Sequence, residues 1–286
     1  MSSKLKMLVP NGHIQKKVLM LLNRIGLEVR LNERSYRPSC CDGEIELKML
    51  RPQNAPKLVE LGRHDCGFAG HDLVVEEQAD VVELLDLGYD PVKVVVAVPD
   101  CLAESDDLFS RRLIVASEYD RLTRDYIKKK NLDAVHVRTF GATEALPPED
   151  ADMVIDNMAS GQTLRLNDLT VIDEIMESTT RFICNKDALE DSWKKKKLDE
   201  ITMLMKSTLN ADKRVLLEMN VSNECFEALV ADLPCMRAPT VSPLHYEEGY
   251  AVKVAVPAKD VPKLIPKLIE AGARDILEYR LEKIVG

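Results

Sequence analysis

Residues 153–167 read MVIDNMASGQTLRLN. An apolar run ends on a carboxylate, Asp156, and empties into the small-residue bend Ala159-Ser160-Gly161, with Thr163 just beyond. A strand end that opens into such a bend gathers backbone N–H groups in a concavity that suits oxygen anions, and two hydroxyls add donors. Gly161 permits close backbone approach to a ligand. An acid one turn away can accept hydrogen bonds from vicinal hydroxyls. Together these features point to a phosphorylated sugar, against the plainer reading of an ordinary turn with a solvated acid.

Other strand ends carry similar groups. Phe140-Gly141-Ala142-Thr143-Glu144 follows DAVHVRT, and His71-Asp72 follows CGFAG. Three such ends side by side in an open sheet would form a crevice at the strands' C-termini, the usual ligand site of α/β folds. Lys48 and Arg51 lie in EIELKMLRPQ, where period-2 alternation sets Lys48 with Leu50 and Arg51 with Met49. One of the two cations can then face a cleft while the other meets solvent.

The elements that must position these groups alternate β-branched runs with helical patterns over the first ~185 residues, as in α/β layers. Strands are expected at KLKMLVP, EVRLN, EIELKMLRP, DCGFAG, VVELLDL, VKVVVAVP, RLIVASE, DAVHVRTF and DMVID. Helices are expected over IQKKVLMLLNRIG, NAPKLVELG and YDRLTRDYIKKKN. Residues 187–209 read as one long helix, its Lys194 to Lys197 run a solvated face. From residue 212 the order becomes βαββαβ, the split-βαβ or ferredoxin-like module, with Pro266 expected to kink or shorten its second helix.

The chain has 286 residues, 39 basic and 48 acidic, for a net charge of −9. That balance disfavours broad electrostatic binding of nucleic acid or anionic membrane, but not of small anions in a local pocket. Apolar runs such as VKVVVAVP are too short to cross a bilayer, and no secretion signal is apparent, so a cytoplasmic protein is expected. Seven scattered cysteines without a CxxC read as free thiols of a reducing compartment.

RSYRPSCCDGEIELKMLRPQ, GFAGHDL, IVASEYDRLTRDY, FGATEA and DNMASGQTLRLNDL follow the order and spacing of the ATP phosphoribosyltransferases. MRAPTVSPL and the closing GARDILEYRLEKIV resemble the regulatory domain of that family's long form. The resemblance implies an α/β catalytic body of two lobes, like periplasmic binding proteins: residues 1–92 with 184–210, and 93–183. A ferredoxin-like regulatory domain would follow over 211–286. It implies transfer of phosphoribosyl from phosphoribosyl pyrophosphate (PRPP) to N1 of ATP, Mg²⁺ accompanying the donor, and inhibition by histidine. A homo-hexamer is implied, a dimer being the alternative.

On the family's motif, Ser160, Gly161, Gln162, Thr163 and Leu164 would hold the 5′-phosphate, and Asp156 the ribose. Lys48, Arg51 and Glu144 would line the catalytic cleft, with Gly12, His13 and Asp72 beside the nucleotide. Asn220, Met236, Ala238 and Thr240 would contact histidine. The chain departs from the family at Asn11-Gly12-His13, where Lys-Gly-Arg is usual. Each lost charge-assisted hydrogen bond there would cost roughly 1.5–3 kcal/mol. Leu73 replaces a common aromatic residue, Ala238 a frequent serine and Asn220 a frequent acid. These departures motivate a second reading, a catalytically weak paralogue that senses nucleotide or PRPP. A periplasmic-type carrier is disfavoured.

Overall fold

The computed structural model describes residues 4–31, 36–105, 108–231, 233, 238–245 and 248–286. They form two compact units, residues 1–23 with 27–198, and residues 24–26 with 199–286.

The first unit contains two five-stranded sheets. One is ordered Ile45–Leu50, Leu5–Pro10, Cys66–Gly70, Thr180–Cys184, Val82–Asp86. Its first three strands run parallel, and Thr180–Cys184 enters antiparallel to both of its neighbours. The other is ordered Leu169–Ser178, Val92–Pro99, Met153–Met158, Leu113–Ser117, Ala134–Arg138. Val94 to Val98 are all buried, which explains why VKVVVAVP is an unbroken apolar run: a strand covered on both faces has no reason to alternate. Each sheet with its helices is one lobe. The chain crosses between them twice, at residues 87–91 and at Thr179. The two crossings are bonded to each other, Thr180 N–H to Tyr89 O at 2.9 Å and Leu87 N–H to Thr180 O at 3.0 Å.

Most expected elements form where the periodicity places them, and five readings need correction. Leu169–Ser178, a ten-residue strand, escapes the pattern because two register shifts, at Val171/Asp173 and Glu174/Met176, break its period of two. Thr180–Cys184 is also a strand that the reading passed over. The long helix over 187–209 is two helices, Lys186–Glu190 and Ser192–Asp212. Asp191 separates them with an extended ψ of 113°, and its Oδ1 accepts the N–H groups of Trp193 and Lys194 at 2.9 and 3.0 Å. A short polar side chain that caps a new helix also ends the old one. Nor is the lysine run simply solvated: Lys194 pairs with Asp65 at 2.8 Å and Lys197 with Asp42 at 2.7 Å.

In the second unit the sheet order is Thr240–Pro243, Tyr250–Pro257, Arg214–Val221, Arg274–Arg280, antiparallel throughout, with helices Asn223–Ala231 and Val261–Glu270. This is the ferredoxin-like arrangement. Every second residue of RVLLEMNV is buried, as a one-sided sheet requires. Helix Val261–Glu270 is not cut short at Pro266. Its buried face of Val261, Leu264 and Leu268 continues past the proline, and that packing outweighs one missing backbone bond.

Among the described residues no helix is long and apolar enough to cross a membrane.

Candidate functional site

The bend after Met153–Met158 is built from both sides. Met153, Val154 and Ile155 are fully buried, so the strand's end is fixed by the core. Ser117, also buried, donates from its hydroxyl to Ile155 O at 2.6 Å. Gly161 takes a left-handed φ of +71° and leads the short helix Gln162–Leu166, whose Leu164 packs among Val95, Val154 and Leu169. Arg165 Nη2 donates to Ser160 O at 3.2 Å, and Asn167 Nδ2 to Thr163 O at 2.9 Å, which draws side chains back onto the loop's own carbonyls. Gln162 N–H donates to Ser160 Oγ at 3.4 Å, and the Ser160 and Thr163 hydroxyls remain as donors.

A cavity of about 360 Å³ lies against this bend, lined by Glu118, Glu144, Asp156, Asn157 and residues 158–164. Burial pushes the Asp156 carboxyl up to about 6, with the Glu144 and Glu118 charges adding to the shift. The Asn157 N–H, donating to Asp156 Oδ1 at 2.7 Å, opposes it. Glu144 is presented by a loop with left-handed backbone at Gly141 and Ala142, held by a 2.7 Å bond between the Thr139 and Thr143 hydroxyls.

A second cavity, of about 180 Å³, lies between the lobes. Its floor is the two crossings, represented by Asp90, Val92, Ser178, Thr179 and Thr180, and its walls include His13, Gln53, Leu73 and Arg138. Asp72 is buried there and accepts hydroxyl hydrogen bonds from Tyr119 at 2.7 Å and Ser178 at 2.5 Å. Burial and the Asp72 charge push the Tyr119 phenol far up. Glu76 reaches across the lobes: its carboxylate accepts the N–H groups of Asp120, Arg121 and Leu122 at 2.6, 2.9 and 3.0 Å, capping helix Asp120–Lys129. Among the described lining residues Arg138 is the one permanent cation, 5.6 Å from the Phe140 ring, and it shares the lining with Asp72, Glu76, Glu77, Asp90 and Glu118.

The structure thus gathers Asp156, Glu144, Ser160, Gly161, Gln162, Thr163 and Leu164 around one cavity, and His13 and Asp72 at the other. Gly12, with φ +96°, turns the chain beside the second cavity without lining it. Lys48 and Arg51 line neither; Pro52 and Gln53, next along, do. Lys48 is half-buried on the face it shares with Leu50, and Arg51 is exposed. Asn11 Oδ1 is buried without a hydrogen-bond partner among the described residues. Sequence reasoning passed over Glu118, Tyr119, Arg138 and Asn157. The signal was present in IVASEY, a strand that ends on an acid just as MVID does.

In the second unit Asn220 lies in Arg214–Val221 and donates from Nδ2 to Asp275 Oδ2 at 3.1 Å. Ala238 and Thr240 are exposed, and strand Tyr250–Pro257 runs between Asn220 and Thr240. Met236 lies outside the described residues.

A family described as "HisG: ATP phosphoribosyltransferase" matches residues 51–207, and "HisG, C-terminal domain" matches residues 211–283. The chain is 40% identical to an ATP phosphoribosyltransferase of Thermodesulfovibrio yellowstonii over 98% of both chains. It is 37% identical to that of Pelodictyon phaeoclathratiforme over 98% of this chain and 97% of the other. Among solved structures it resembles an ATP phosphoribosyl transferase (HisG:HisZ) complex from Thermotoga maritima. There the TM-score is 0.63 at 21% identity, over 71% of this chain and 98% of the other.

Proposed function

This chain belongs to the ATP phosphoribosyltransferase family, and from that premise we propose how its own residues carry the reaction. The reaction moves phosphoribosyl from PRPP to N1 of ATP, releases pyrophosphate, and opens histidine biosynthesis. The weak-paralogue alternative is not favoured, since relatives 36–40% identical over nearly the whole length carry the enzyme's name.

In this reading the 5′-phosphate of PRPP docks on the Ser160–Leu164 bend, and the ring lies over Asp156. The carrying observation is that one cavity unites the bend's donors with a carboxylate at its edge. Breaking the C1–O bond puts oxocarbenium character on the ribose. A carboxylate beside the ring does more there than in the ground state, which is what lowers a barrier. The adenine nitrogen is already nucleophilic, so the chain needs no serine or cysteine attacker, and positioning supplies much of the rate. ATP occupies the cavity between the lobes, where Arg138 is the phosphate-directed cation and His13 and Asp72 border the nucleotide. Lys48 and Arg51 would take part once the lobes have shifted around substrate.

Mg²⁺ is proposed to arrive on PRPP. Hard cations take carboxylate and phosphate oxygens, and Asp156 and Glu144 supply carboxylates to that cavity. When bound, the ion would neutralise charge developing on the leaving pyrophosphate.

The second unit is proposed to be the histidine-responsive domain, with Asn220, Ala238, Thr240 and Met236 as effector contacts. The carboxylate absent at 220 has a substitute in Asp275 across the sheet, hydrogen-bonded to Asn220. A cytoplasmic homo-oligomer, hexamer or dimer, completes the reading, and the catalytic lobes are assigned to residues 1–92 with 180–210, and 93–179, the expected boundary at 183/184 moving because strand Thr180–Cys184 lies in the first sheet. Purified protein given ATP, PRPP and Mg²⁺ is expected to release pyrophosphate and to show the ultraviolet change of N1-substituted adenine. Added histidine is expected to slow both. Substrate binding with no pyrophosphate released sinks the assignment in favour of a sensor.

A further inference from the structure

Glu118 has no part in the reaction as described so far, yet it stands at an unusual place. It lines both cavities, a property shared only with Asn157 among the described residues. The Asn157 amide is already committed to Asp156 and Tyr119. Glu118 is exposed, and no cation or hydrogen-bond donor of the described residues meets its carboxylate. Its backbone is nevertheless fixed on both sides. Buried Ser117 is bonded to Ile155 O and accepts the Tyr119 N–H at 2.9 Å, and buried Tyr119 is held through its phenol by Asp72. A free carboxylate on a fixed backbone keeps its own rotamers and can turn to either cavity as an acceptor.

The chemistry at that wall follows from the reading above, on which this inference rests. The ribose C1 lies near Asp156 in the larger cavity, and ATP enters the smaller one, so N1 must reach C1 across the shared wall. On adenine the exocyclic 6-amino group adjoins N1 and comes to the same wall. The N1 lone pair forms the new bond to C1, and the C1–O bond breaks with its electron pair leaving on pyrophosphate. Adenine thereby gains a positive charge spread over N1, C6 and the 6-amino nitrogen. Both amino protons stay in place through the transfer, and one passes to water afterwards.

We propose that Glu118 accepts a hydrogen bond from the 6-amino group of ATP, aiming N1 at the ribose and stabilising the amidinium as it forms. A carboxylate binds the cationic product side of this step more tightly than the neutral base, which is the differential that speeds it. The nearness of Glu118 to Asp156, visible in its contribution to the raised Asp156 carboxyl, agrees with one residue serving both cavities.

The test is a cycle of two changes. Wild type, Glu118→Gln and Glu118→Ala are each assayed with ATP and with purine riboside triphosphate, which keeps N1 but lacks the amino group. Removing that group is expected to cost wild type about ten- to a hundredfold more in kcat/KM than it costs Glu118→Ala. Glu118→Gln, an uncharged acceptor, is expected to keep the KM for ATP and lose kcat. Equal costs in wild type and both variants overturn the inference while leaving the family's reaction intact. Absence of any turnover of ATP by wild type overturns the reading beneath it as well. Should Glu118→Ala not fold, the comparison of wild type with Glu118→Gln carries the same two outcomes.

Discussion

The Asp156 carboxyl titrates at about 6 because it is half-buried and faces two like charges. As the ionised form is the one that stabilises an oxocarbenium ion, turnover is expected to rise with pH through about 6. Stability runs the opposite way. The folded value lies above the ordinary 3.8, so this group's contribution is fully present below 3.8 and is lost as pH rises through about 6. Asp156→Asn is therefore expected to unfold at higher denaturant than wild type at pH 8, by about 1–2 kcal/mol, with the gap closing by about pH 4. Its turnover is expected to fall at least about a hundredfold. Equal stabilities at pH 8, or an active Asn variant, would contradict this account. Asp156 and its bend were legible in the sequence because strand, acid and loop are contiguous there. Glu118, Tyr119 and Arg138 were not, since their importance depends on which sheets come to face each other, something no local pattern carries.

At the scale of elements, two short pieces hold the site. Gly161 has a left-handed φ, and a Cβ there would lie 3.0 Å from Met158 Sδ. Gly161→Ala is expected to cost about 1–2 kcal/mol, read as a lowered urea midpoint, and to raise the KM for PRPP far more than that for ATP. Helix Asp120–Lys129 begins on Tyr119, whose side chain does not cap it; the cap is Glu76 from the opposite lobe. Losing a cap costs about 1–2 kcal/mol. Glu76→Ala is thus expected to speed hydrogen exchange at the amides of 120–122 while leaving those of Val94 to Val98 protected. Periodicity reveals such elements when their pattern is clean, as in Leu5–Pro10 or Val92–Pro99. It fails at Leu169–Ser178, where bulges reset the phase, and at Asp191, where a single side chain divides what the apolar stripe joins.

For the whole molecule, charge is the governing quantity. A net −9 surrounds cavities whose charged lining residues are mainly acids, yet both substrates are polyanions. Long-range repulsion then slows encounter and is screened within about 10 Å at 0.1 M salt. Raising ionic strength from about 10 mM to about 150 mM at fixed free Mg²⁺ is expected to raise kcat/KM for ATP. A fall would mean that local cations such as Arg138 dominate capture instead. The α/β body and the ferredoxin-like module were readable from the order of elements, whereas the two lobes were expected only from the family resemblance and the route between them was not legible, because its second passage is one residue long. That passage matters mechanically. With Tyr89 and Thr180 zipped together, any swing of the lobes on these paired pins would be held to a single arc, like a door, and would have to carry or break the Glu76 and Asp72 bonds across the lobes. Substrates would then need only stop that swing at one angle, with little disorder to freeze out. Lengthening one pin alone would tilt the arc and mismatch the two cavities without setting either lobe loose.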